Sequence, residues 1–262
     1  MLKHSLTHFL LSLACLSLLL GCISSGVKQT VSLQTITPVI LKKNGNEIFH
    51  YWQLPNEPSL WETKLGTVPA LELFRDSLKN ILGNERFMEI LHRQSSQDVP
   101  DDTAAAQNGD AYNSNLIHTG KAGTIRAINF LEAALLNYQL SRYPFLSHPT
   151  EFHGFIVLNE SQDSVRIYFA ASDQPWPPKA TILLQSIAGD IQRGWKLAYH
   201  LHNHYEPKAK NYLGILAPSM ADAQFYGFLQ AEYGLRKALI TNGFHTVEID
   251  SSEFLKFKVH GE

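Results

Sequence analysis

The 262-residue sequence predicts an α/β (α+β) domain in which strands and helices are mixed along the chain. Three observations carry that expectation. Short runs of strand-like composition recur at 47–54, 152–158, 165–171 and 244–249. Stretches with apolar residues at helical spacing lie between them, at 69–92, 124–141 and 223–239. Clusters of Gly, Pro and Asn separate the two kinds of segment. An apolar content of 44% is enough to build a core for such a domain.

The first residues stand apart from it. Met1-Leu2-Lys3 is a short basic start, and Phe9 to Leu20 is an apolar run too short to span a bilayer comfortably. Its length suits the hydrophobic segment of a signal peptide. The run ends in Leu19-Leu20-Gly21-Cys22, which resembles the lipobox of bacterial lipoproteins. That resemblance implies removal of residues 1–21, lipidation of Cys22 and a tether over 22–30. More than one acyl chain gives stable anchoring, each buried methylene contributing about 0.8 kcal/mol. Ile23 follows the cysteine where retained lipoproteins carry Asp, which by the same resemblance implies the periplasmic face of the outer membrane. Cys15 and Cys22 are the two cysteines. Cleavage removes one and acylation blocks the other, so the mature chain has no thiolate to serve as ligand or nucleophile.

An N-terminal accessory region is expected over 31–115. Strand-like residues 31–41 and 47–54 flank Asn44-Gly45, a hairpin signal. Helical spacing runs from Pro69 to His92, with a break at Gly83-Asn84. Residues 94–115 are polar and read as a long loop. A second domain is expected over 116–262. Thr124 is read as the cap of a helix reaching about Ser141, with Ile125, Ile128, Leu131, Leu135 and Tyr138 on one face. The segment after Glu151 reads as a buried strand that pairs with 165–171. Residues 181–187 fit a short strand or a helix. A helix over 223–239, a strand over 244–249 and another at 254–259 complete the order.

Chemistry concentrates between His200 and Asp222. His200, His202 and His204 alternate along a strand, and alternate side chains share a face. Ser219 and Asp222 have the spacing of a helix-capping box. Two imidazoles and a carboxylate on rigid elements, with a fourth position left open, are the protein ligands of a catalytic zinc site. His200 with His202 has the same spacing as His202 with His204, so the residues alone leave the register open.

Glu151 with Gly154, then His202-x-His204, then Ser219-x-x-Asp222 resemble, in order, the motif of the JAB/MPN (JAMM) metallopeptidases. The likeness covers about residues 125–250 and implies a JAB/MPN-like fold, a mixed sheet flanked by helices. Tyr205 stands where that family has a proline, and the loop to Ser219 is longer. The resemblance implies Zn2+ on His202, His204 and Asp222. It makes Glu151 the general base and Ser219 a hydroxyl near the developing oxyanion, and it places the histidine pair at the strand's end. His200 and His153 then stand behind the ligands. The function expected is hydrolysis of amide bonds in a peptide or protein of the periplasm; a scaffold that keeps the fold without catalysis is the alternative.

Other classes are excluded. A formal net charge of -2 gives no footprint for nucleic acid. His118-Thr119-Gly120-Lys121 lacks the first glycine of a phosphate-binding loop. Zinc deaminases need a Cys-x-x-Cys pair that this sequence does not contain.

Overall fold

In a computed structural model of the chain, the described residues form eight strands interspersed with helices. The structure describes residues 33, 35–63, 65, 68–93, 108–205 and 214–261. The signal-peptide, tether and Cys22 readings lie outside them, as do residues 94–107 of the polar stretch. No helix among the described residues is long and apolar enough to cross a membrane.

The strands are β1 (Val39–Asn44), β2 (Glu47–Pro55), β3 (Thr124–Ala127), β4 (Phe152–Leu158), β5 (Ser164–Ala171), β6 (Lys196–Asn203), β7 (Lys237–Thr241) and β8 (His245–Asp250). They form one sheet in the order β1-β2-β5-β4-β6-β7-β8-β3. Every pairing is antiparallel except β6 with β7. The helices are α1 (Pro69–Leu82), α2 (Asn84–Arg93), α3 (Gly109–His118), α4 (Phe130–Arg142), α5 (Thr181–Gln192) and α6 (Met220–Tyr233).

Central strands are apolar on both sides because helices cover both faces. On one face, Phe155 and Val157 of β4 and Ile240 of β7 pack with Leu183 and Ile187 of α5 and with Tyr226 and Leu229 of α6. On the other, Tyr138 of α4 meets Trp52 and Phe169 edge-on. The outer helix α1 lacks a side-chain cap of its own. Instead, Asn137 of α4 accepts hydrogen bonds from the amides of Ala70 and Leu71, at 2.8 and 3.2 Å.

The structure redraws several expected boundaries. β2 is buried on both sides, with Phe49 in one core and Trp52 and Leu54 in the other. Such a strand needs neighbours on both flanks, and it pairs with β5 from Ile48–Ala171 to Pro55–Ser164. Residues 39–55 thus belong to the main sheet and not to an accessory region. The polar stretch expected as a loop to 115 ends in α3, whose start is capped by the Asn108 side chain. The expected boundary at 115/116 falls inside that helix.

Thr124 starts a strand and not a helix, because Ile125 and its neighbours pair with β8. α4 begins later, where Asn129 and Glu132 form a reciprocal capping box. The helix expected over 223–239 stops at Tyr233: Gly234 takes the left-handed conformation, φ 68°, that closes a helix. Lys237–Thr241 then forms β7. Residues 181–187 are helical, in α5, and the strand expected at 254–259 gives way to a 3-10 turn, Ser251–Lys256.

Candidate metal centre

β6 carries the histidines in from the core. His200 and His202 are 1% and 3% exposed, on the face that meets α6. Leu201 and Asn203 point the other way, as period-two alternation requires. His204 lies just past the strand, its amide donating to the Thr241 carbonyl at 2.9 Å.

One ligand atom from each of His202, His204 and Asp222 lies within 4.8 Å of the other two. His202 Nε2 is 2.9 Å from His204 Nε2. Asp222 Oδ1 is 3.5 Å from His202 Nε2, and Oδ2 is 3.4 Å from His204 Nε2. The opposite edge of His204 fixes its tautomer. Its Nδ1 lies 2.8 Å from the Ile215 carbonyl oxygen, which can only accept. Nδ1 therefore carries a proton, and whenever the ring is neutral it is Nε2 that presents a lone pair to its neighbours. His202 Nδ1 lies 3.4 Å from the Tyr226 hydroxyl.

Asp222 is held by its own helix. Ser219 is the N-cap of α6: its hydroxyl accepts from the Asp222 amide at 3.1 Å, and its amide donates back to Asp222 Oδ2 at 2.9 Å. The Ser219 hydroxyl also donates to Oδ2, at 2.7 Å. Oδ2 is thereby satisfied twice, and Oδ1 is left towards His202. Ser219 is thus the helix cap that the capping-box spacing predicts, and its hydroxyl hydrogen goes to the Asp222 carboxylate.

The electrostatics concentrate charge here. Burial alone raises the Asp222 pKa, but His202 and His204 hold it well below the ordinary carboxylate value. Burial lowers that of His204, yet the hydrogen bond and charge of Asp222, with Glu151 beyond, lift it to about 9. Two imidazoles and a charged carboxylate thus meet at one point, an electrostatic setting that suits a cation.

Glu151 immediately precedes β4 and lines a cavity of about 220 Å3 together with His204, Tyr205 and Ser219. Asn203 holds the backbone on either side of it. The Asn203 side chain donates to the Thr150 carbonyl and accepts from the Phe152 amide, both at 3.0 Å. The Glu151 amide donates to Pro175.

His200 and His153 stand one step back, neither among the three converging donors. His153 Nδ1 is 3.0 Å from His200 Nε2, and the His200 ring stacks on His202 at 5.4 Å. Burial, then neighbouring histidines, hold the His200 pKa well below its ordinary value, and that of His153 down to about 3.

Asn203, Asp110, Gly214 and Tyr226 were missed by the sequence reading. Asp110 lines the 220 Å3 cavity and accepts from the Met220 amide at 2.7 Å, which fixes the start of α6. Alternation along His202-Asn203-His204 was the one available signal, since it sends Asn203 towards the Glu151 backbone.

The chain matches no protein-family model, no curated protein and no solved structure. The donor set itself fits a divalent ion of borderline softness: two imidazole nitrogens with fixed or bonded far edges, and one oriented carboxylate.

Proposed function

We propose that this chain is a zinc-dependent hydrolase of amide bonds, of the JAB/MPN (JAMM) kind, held in the cell envelope through a lipid on Cys22. The observation that carries the reading is the convergence of His202, His204 and Asp222 on one point, beside a cavity that Glu151 lines. Its substrates are peptides or proteins of the periplasm.

Zn2+ supplies Lewis-acid polarisation of the scissile carbonyl and of the attacking water. The protein's own groups do the remainder. His202 and His204 offer Nε2 lone pairs, with Ile215 orienting the second ring. Ser219 locks the Asp222 carboxylate. Glu151, fixed through the Asn203 clamp, takes the proton of the attacking water and returns it to the leaving amine. His200 and His153 keep the His202 ring packed from behind.

Two measurements test this. Elemental analysis of the purified chain is expected to find one zinc per chain, lost in His204→Ala and retained in His200→Ala. Hydrolysis of a broad peptide library is expected to fall by about 10²-fold or more in Glu151→Gln with zinc retained. Absence of metal after zinc is supplied overturns the reading. Tyr205 in place of the family's proline favours a second reading, a binding scaffold on the same fold; zinc without hydrolysis of any library member would select it.

A further inference from the structure

We propose that the groove between residues 177–184 and the outer side of α6 is a subsite for a large apolar side chain next to the scissile amide, and that His153 anchors the substrate backbone beside it. This rests on the hydrolase reading and names a substrate preference for it.

The groove encloses about 570 Å3. Pro177, Pro178 and Leu184 form one wall, and Phe225 and Phe228 form the other. The two phenyl rings lie nearly parallel, with centroids 6.1 Å apart and planes 17° apart, and Phe228 is 45% exposed. Covering such a surface is favourable for any apolar side chain that fits it. The occupant follows from where the groove starts. Asp222, one turn before Phe225 on α6, lies in its wall, whereas Glu151 and His204 open into the 220 Å3 cavity. The centre therefore lies between two cavities, and an amide bond placed there directs one flanking residue into each.

His153 supplies the second contact. It lines the groove, and its Nδ1 is bonded to His200 Nε2. A single proton lies between those nitrogens. His200 Nδ1 is buried with no hydrogen-bond partner among the described residues. A buried orphan N–H is the costlier choice there, so His200 carries its proton on Nε2 and donates it to His153 Nδ1. The His153 proton is then on Nε2, a donor for a peptide carbonyl in the groove.

The test uses the full-length chain with Glu151→Gln, which retains substrate. Capped pentapeptides are scanned from Ala to Phe and Leu at each position, and affinity is read by calorimetry. At one position Phe and Leu are expected to bind about tenfold tighter than Ala, and Phe228→Ser is expected to abolish that gain. His153→Leu is expected to weaken all peptides about tenfold with zinc content unchanged, and His153→Gln, which keeps a donor, to restore most of it. No positional preference, or a preference that Phe228→Ser leaves intact, overturns the proposal. A dimer that Phe228→Ser dissolves would assign the groove to a second copy and overturn it as well. Selective binding beside a wild-type chain that cleaves nothing would overturn the hydrolase reading alone; indiscriminate cleavage would overturn the subsite alone.

Discussion

A β-carbon placed on Gly214 would lie 2.3 Å from the carbonyl carbon of His204. Gly214 thus lets the returning loop touch the ligand strand, and the next residue, Ile215, supplies the carbonyl that orients the His204 ring. Gly214→Ala must push these two backbones apart. Since loss of a group that orients a ligand typically costs 10–100-fold in metal affinity, zinc affinity is expected to fall by about that factor. Competition with a chelator measures it. An unchanged affinity would mean that the Ile215 contact does not set the ring.

Asn203 joins two backbone groups that bracket Glu151 and touches none of the converging donors. Asn203→Ala leaves the Phe152 amide and the Thr150 carbonyl without that partner in a buried setting. Stability is expected to fall by about 2 kcal/mol. Activity is expected to fall by about 10²-fold through displacement of Glu151, with zinc content intact. Denaturant unfolding, elemental analysis and peptide hydrolysis separate these effects. Zinc lost together with activity would place Asn203 among the supports of the metal site instead.

What the sequence made legible follows from range. Alternation along a strand and capping spacing at a helix start are local rules; they singled out His200, His202 and His204 with Ser219 and Asp222, the family resemblance chose the later histidine pair, and the structure brings His202, His204 and Asp222 together. Asn203 escaped because its partners lie 51 and 53 residues away, at the start of β4 and just before it, and nothing near it states that they are needed. Asp110 escaped because a polar run reads as loop until the helix it begins is seen to brace α6. Thr124–Ala127 was misread because the helical spacing that continues into α4 extends back over it, while its fate is set by pairing with β8. Gly234 falls inside the run expected as one helix over 223–239, yet its left-handed conformation stops α6 at Tyr233.

Glu132 is 1% exposed and ties the start of α4 to β3 and β8. It closes the capping box with Asn129, takes two hydrogen bonds from Arg126 of β3, and accepts the Thr246 hydroxyl of β8 at 2.8 Å. Glu132→Ala removes the side-chain half of the capping box, while the Asn129 side chain still accepts the residue-132 amide, and leaves Arg126 with Glu248 as its remaining ion-pair partner among the described residues. Breaking a buried pair from one side is costly, so a loss of about 3 kcal/mol is expected in denaturant unfolding. Glu132→Gln keeps the shape and some of the bonds and should lose less. Equal losses in the two variants would show that charge, and not the cap, dominates.

His50 gives the fold an acid-sensitive point remote from the site. Its ring packs among Trp52, Tyr138 and Phe169, and its Nε2 is buried with no hydrogen-bond partner among the described residues. Burial first, and the charge of Arg142 second, lower its pKa from 6.5 to about 4. The unfolded chain therefore binds this proton more readily than the folded one. The resulting stability is fully present above about pH 6.5, declines as the pH falls, and is exhausted below about pH 4. At about 1.4 kcal/mol per pH unit, the loss across that window is on the order of 3 kcal/mol. His50→Phe keeps an aromatic ring in the cluster and removes the titration. Denaturant unfolding of both proteins at steps from pH 7 to 4 is expected to show the wild type losing ground steadily against the variant. Parallel curves would mean that the ring is protonated, or has opened to water, well before pH 4.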